Sequence, residues 1–189
     1  MKLILATIVL AWLLGLVIGG RPSALSSLKV RWTPAALVGL ALQLAPVPGR
    51  TWPLVLLFVS FALLISFAVV NVRARVPGFV LILAGVLMNF TVIAVNQGMP
   101  VSRSALVASH QEQTLPLLER HAGAKHHLAG PGDELMPLAD IIALPPLGQV
   151  VSLGDVFAYS GVVWLIVAGM RRRDEDPAPA AEPVPGTAL

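Results

Sequence analysis

Cysteine is absent from the 189 residues. No disulfide can staple an exported segment, no thiolate can serve as nucleophile or metal ligand, and no thiol relay can operate. Charge is scarce too: Asp, Glu, Lys and Arg make up 12% of the chain, about half the ~25% of an ordinary soluble domain. Glycine-rich phosphate loops, a G-x-S-x-G elbow, a catalytic carboxylate pair and a dinucleotide fingerprint are all missing from the sequence. The sequence therefore leans away from an enzyme, implies no cofactor, and offers no metal signature.

Apolar residues fill that space. They form 56% of the chain, and mean hydropathy is +0.81, which leaves too little polar surface to coat a water-soluble globule. A soluble domain, a disordered chain and a collagen-like fibre are excluded. There is apolar material for about five bilayer spans of ~20 residues each. The net charge of +3 does not point to nucleic acid, because the basic residues sit at the ends of apolar runs.

The expected architecture is an all-α membrane protein with five transmembrane helices and one long extracytoplasmic loop. The first span covers Leu3–Gly19 and reads as uncleaved, since Val17-Ile18-Gly19-Gly20 is a poor match to a small-residue cleavage site. Its Ala11, Gly15 and Gly19 form a small-xxx-small stripe, open to packing within the chain or to a homodimer seam. Span two runs from Pro34 to Val47, with Thr33 as its cap and Pro46 and Pro48 ending it. Thr51 caps span three, Trp52–Val70, and Asn71-Val72-Arg73-Ala74-Arg75 makes a basic connection. Span four covers Phe79–Val95, stopped by Gly98 and Pro100, and span five covers Leu153–Met170. Trp32 and Trp52 fall at the two ends of span two, where indole rings favour the interface.

Orientation follows from the basic residues. Five spans put Arg21, Lys29, Arg31, Arg73, Arg75 and the Arg171–Arg173 triplet on one side, with Lys2 and Arg50 in short segments opposite. The basic side is cytoplasmic, which places the N-terminus outside and the C-terminus inside. On this reading residues 1–95 form a four-helix transmembrane region and 96–151 an extracytoplasmic loop or cap. Residues 152–171 form the fifth helix, and 172–189 a disordered cytoplasmic tail. Leu135–Leu153 is apolar but broken by Pro137, Pro145 and Pro146, so it reads as an interfacial segment and not a sixth span. A cysteine at Ser109 should accordingly be labelled from outside the cell, and one at Ser26 should not.

Candidate sites are few. His110, His121, His126 and His127 all lie in the outer loop, where they read as solvated side chains, with a metal site or pH sensor as alternatives. Asn89 sits near the middle of span four, where an unpaired amide is costly; an interhelical hydrogen bond or a ligand contact would satisfy it. No ionisable residue lies deep in a span, which speaks against a proton-coupled pump. Ser152 and Asp155 have capping-box spacing at the start of span five. With Asn96, Met99, Pro100 and Asp140 they form a candidate outer-seam site, suited to a polar or cationic ligand or a partner loop.

Four stretches carry a resemblance. They are Gly19-Gly20-Arg21, Asn96 with Gly98-Met99-Pro100-Val101, Leu138-Ala139-Asp140-Ile141-Ile142 with Pro145, and Ser152-Leu153-Gly154-Asp155-Val156. In that order they resemble an uncharacterised family of small bacterial multi-pass membrane proteins, a domain of unknown function. The resemblance implies a helical membrane protein and supplies no catalytic residue. The expectation is a non-enzymatic interaction or lipid-binding module of the cell envelope. Its partners would be anionic lipid on the cytoplasmic face and an envelope protein or a second copy of the chain. A small oligomeric transporter or channel is the alternative.

Overall fold

The computed structural model describes residues 2–45, 49, 51–120 and 125–171. The tail at 172–189, with two residues of the arginine triplet, lies outside the described residues. So do Pro46, Pro48, Arg50 and His121.

The chain is mostly helical. Four apolar helices come first: α1 (Lys2–Val17), α2 (Thr33–Leu44), α3 (Thr51–Arg73) and α4 (Phe79–Asn96). A cap follows, with β1 (Met99–Val101), α5 (Arg103–Ala108), α6 (Leu115–Arg120), β2 (His126–Leu128), β3 (Ile142–Leu144) and β4 (Gln149–Val151). The last helix is α7 (Leu153–Met170). Helices α3, α4 and α7 are long and apolar enough to cross a membrane, which marks a multi-pass membrane protein. Helices α1 and α2, of 16 and 12 residues, are also apolar but shorter than the ~20 residues of a typical span.

In space the helices form a row, α2–α3–α4–α7–α1. Helices α1 and α7 run parallel. The Leu3 amide donates to Gln149 Oε1 (3.0 Å) at one end, and the Arg21 amide to the Met170 carbonyl (2.7 Å) at the other. The α1 face against α7 is Thr7, Ala11 and Gly15, so the small-residue stripe packs within the chain. Gly19 does not belong to it: α1 has ended at Val17, and Gly19 turns the chain at φ +77° with open space beside it.

Helix α4 packs antiparallel on α7 through glycine. A Cβ on Gly85 would strike the Gly154 carbonyl and the Ala158 backbone, and one on Gly161 would lie 2.6 Å from the Gly78 carbonyl. Backbone meets backbone at two levels seven residues apart. Dispersion contacts are maximal at such an approach, and dispersion is what holds helices together in lipid.

Several local expectations need correction. Span three continues to Arg73, because Asn71 is fully buried and bonded. Its Nδ2 donates to the Phe67 carbonyl (2.9 Å) and the Arg31 carbonyl (2.8 Å), and its Oδ1 accepts from the Arg31 amide (2.8 Å). The amide thus fastens the chain leading into α2 to the end of α3. Thr33 does not cap α2; its hydroxyl turns back to the Val30 carbonyl at 3.5 Å, and Trp32 holds the cap position at φ 61°. The left-handed residue closing α4 is Gln97, with the Gly98 amide bonded to the Ile93 carbonyl (3.1 Å).

The all-α expectation fails in the cap. β1 and β2 pair in parallel, Met99 opposite His126 and Val101 opposite Leu128, and β3 and β4 pair antiparallel. On the other edge of β1, the Asp140 amide donates to the Pro100 carbonyl (3.0 Å) and the Ser102 amide to the Asp140 carbonyl (2.9 Å). Leu135–Leu153, the rejected sixth span, is two short 3₁₀ turns and this hairpin before α7 begins. Asn96 ties the cap to α4: its Oδ1 accepts from the Glu134 amide (2.8 Å) and its Nδ2 donates to the Glu134 carbonyl (3.0 Å).

The helix ends sort by charge. Arg21, Lys29, Arg31, Arg73, Arg75 and Arg171 all belong to the end of the row away from the cap, as the Arg31–Asn71 and Arg21–Met170 bonds require.

Candidate functional site

Where the cap sits on the helix row it roofs a small cavity of about 180 Å³. Its floor is built from Leu57 and Phe61 of α3, Asn89 and Ile93 of α4, and Asp155 of α7. Gln43 of α2 closes one side, and Met99, Lys125, His126 and Asp140 come from the cap.

The α7 wall begins with the capping box expected from the sequence. Ser152 Oγ accepts the Asp155 amide at 2.9 Å, and Asp155 Oδ2 accepts the Ser152 amide at 3.2 Å. Asn89 closes a ring across the helix seam: its Nδ2 donates to Asp155 Oδ1 (2.7 Å) and its Oδ1 accepts from Ser152 Oγ (2.8 Å). The mid-span amide is thereby satisfied, and one oxygen of Asp155 is held at the cavity.

Asp140 differs. Its backbone is fixed on β1, the residue is 8% exposed, and no described residue donates a hydrogen bond to its carboxylate. The nearest approach of a basic group within 4 Å is His126 Nε2, 3.9 Å from Oδ2, too long for a hydrogen bond. Burial, and then the charge of Asp155, push the Asp140 carboxyl up to about 7. Lys125 borders the cavity without neutralising it, because its Nζ donates to the carbonyls of Gln43 and Ala45 (3.3 Å for the latter) at the end of α2. A lysine suits a helix C-terminus, where carbonyls lack partners.

The outer-seam residues are partly brought together. Met99, Asp140 and Asp155 line the cavity and Ser152 braces it. Asn96 and Pro100 do not reach it: Asn96 clamps Glu134, and Pro100 is buried in the middle of the cap strands. Gln43, Lys125 and His126 join from separate segments, and only the fold reveals their proximity. The histidines are not uniformly solvated. His127 Nε2 lies 2.8 Å from Asp133 Oδ1, with 19% of its side chain exposed, whereas His126 is half exposed. Among the described residues no three His, Asp or Glu side chains gather closely enough to hold a metal ion.

Residues 27–167 match the model of a family of unknown function, DUF5317. No curated protein and no solved structure matches the chain.

Proposed function

The chain belongs to the DUF5317 family, and on that premise we propose that it is a non-enzymatic binding protein of the cell envelope. In this reading five helices cross the membrane, with the N-terminus and the cap outside and the C-terminus in the cytoplasm. The roofed cavity receives a polar or cationic group from a lipid or a partner protein. The observation that carries it is Asp140: at 8% exposure, its carboxylate receives no hydrogen bond from any described residue and stands at the wall of a cavity. The carboxylate opens into the cavity while the rest of the residue is enclosed, so it has lost most of its bulk water, and an occupant that donates to it restores what the enclosure removes. Binding is favoured over conduction because the α4–α7 seam below the cavity is closed by backbone contact at Gly85 and Gly161.

The orientation rests on the six basic residues gathered at the end away from the cap. Near an anionic leaflet each contributes ~1 kcal/mol of attraction. The chain has no cysteine of its own, so single cysteines report cleanly. Ser109 is a poor reporter because it is fully buried. A Cβ at Gly132 meets no described atom within 4 Å, and Ser26 is exposed at the basic end. Gly132→Cys should react with an impermeant maleimide on intact cells and Ser26→Cys only after permeabilisation; the opposite pattern reverses the topology.

Binding is tested by isolation in mild detergent. The wild-type chain should carry a stoichiometric lipid or protein, identified by mass spectrometry, and Asp140→Asn and Asp155→Asn should lose it at normal abundance. Unchanged retention in both variants would make the cavity scaffolding.

A further inference from the structure

The cavity contains more negative than positive demand, and the imbalance specifies an occupant. The Asp140 carboxylate receives no hydrogen bond from the described residues. Asp155 Oδ1 accepts one, from Asn89, and a carboxylate oxygen has capacity for another. The chain's own ammonium, Lys125, is turned to the α2 carbonyls. Besides Gln43, Asn89 and His126, the remaining wall is Leu57, Phe61, Ile93 and Met99, suited to a hydrocarbon stem and, at the Phe61 ring face, to a cation.

We propose that the cavity binds a primary ammonium group on a short aliphatic stem, the chemistry shared by small free amines and by the ethanolamine headgroup of a phospholipid. This rests on the reading of the cavity as a binding site and names its ligand class. Three N–H donors on one small cation match the open acceptors of Asp140 and Asp155. A quaternary ammonium has no donor to offer them. A bare metal ion would want a fuller ligand set than the described residues assemble.

Proton and ammonium compete for the same carboxylate. The charged or titratable groups facing Asp140 are Asp155 from α7 and Lys125 and His126 from the cap; Gln43 and Asn89 are neutral. With Asp140 titrating at about 7, affinity should fall about tenfold for each pH unit below that value. Protonation of His126 would act in the same direction.

The test uses the full chain in phosphatidylcholine nanodiscs, titrated calorimetrically with ethylammonium chloride, with tetramethylammonium chloride as control. Ethylammonium should bind at pH 8, weaken roughly a hundredfold by pH 5, and fail to bind Asp140→Asn. That variant carries a neutral side chain of the same shape, and the wild-type pH profile tests the idea without any substitution. Nanodiscs containing phosphatidylethanolamine distinguish the source. If they raise the unfolding midpoint of wild type but not of Asp140→Asn, and compete with ethylammonium, the headgroup is the ligand. Ethylammonium binding with no such lipid effect identifies a free amine. Equal binding of tetramethylammonium, undiminished binding by Asp140→Asn, or no response to ethylammonium or to the ethanolamine lipid overturns the proposal. Failure here, combined with loss of a co-purified partner from the Asp variants, would leave the binding reading standing with a different ligand.

Discussion

Gly85→Ala should lower the unfolding midpoint of the purified protein, although glycine to alanine inside a helix ordinarily stabilises by ~1 kcal/mol. The sign is the test. A Cβ at Gly85 meets the Gly154 carbonyl, the Ala158 amide and the Ala158 Cβ at 3.0 Å, and none of these is the end of a flexible chain. Relief requires α4 and α7 to separate, and overpacking of that kind costs ~1–3 kcal/mol or more. Gly161→Ala should behave alike, with its Cβ 2.6 Å from the Gly78 carbonyl and 2.8 Å from the Ile82 amide. Leucine at either site should largely abolish folded protein. Gly132→Ala, in open space, is the control and should be near neutral. Thermal unfolding in detergent decides it: a higher midpoint for Gly85→Ala would mean that the seam has slack.

The same contact explains why the cavity keeps its shape. Gly154 sits one residue before Asp155, and a Cβ there would collide with the Asn89 carboxamide, which bonds both Ser152 and Asp155. Close helix approach and the polar ring are two aspects of one junction.

Sequence legibility divides along physical lines. Apolar runs and their ends are local properties, so α3, α4 and α7 could be read directly, and so could the Ser152/Asp155 capping box, whose two residues are three apart. The glycine seam was not legible: Gly85 and Gly154 are 69 positions apart, and a glycine inside an apolar run gives no sign of what faces it. The cap strands are three residues each, too short for a period-two pattern, and β1–β2 is a parallel pair spanning a long intervening segment. In sequence Asn71 reads as part of a basic linker because Arg73 and Arg75 follow it; in the fold it is helical and buried, bonded to Arg31. Asp140 can be singled out as a polar residue in an apolar stretch, but that no described residue donates to its carboxylate depends on Lys125 pointing elsewhere, a three-dimensional fact.

Asp140→Asn should stabilise the unliganded protein at pH 8 and leave it nearly unchanged at pH 4. The folded chain holds the Asp140 proton up to about pH 7, against an ordinary value of 3.8. Between those values the unfolded state has released a proton that the folded state keeps, so the folded state is progressively disfavoured as pH rises through the window and levels off above 7. A displacement of about three pH units corresponds to an order of ~4 kcal/mol, with asparagine matching the neutral acid in shape and charge. Asp133 does not confuse the reading. Burial raises its carboxyl, but the Gly130 amide and then His127 outweigh that and hold it below its ordinary value. Its contribution is therefore lost only as pH falls through that depressed value, below the window. Subtracting the variant's stability–pH curve from that of wild type reports Asp140 together with its coupling to the neighbouring His126, and a flat difference between pH 4 and 8 would refute its burial as a charge. A residue whose removal strengthens the empty fold while removing a carboxylate from the cavity is held there at a cost to stability, as binding sites commonly are. An ammonium occupant would reverse the trend, stabilising the wild type most above pH 7, where Asp140 is ionised and the empty protein is weakest.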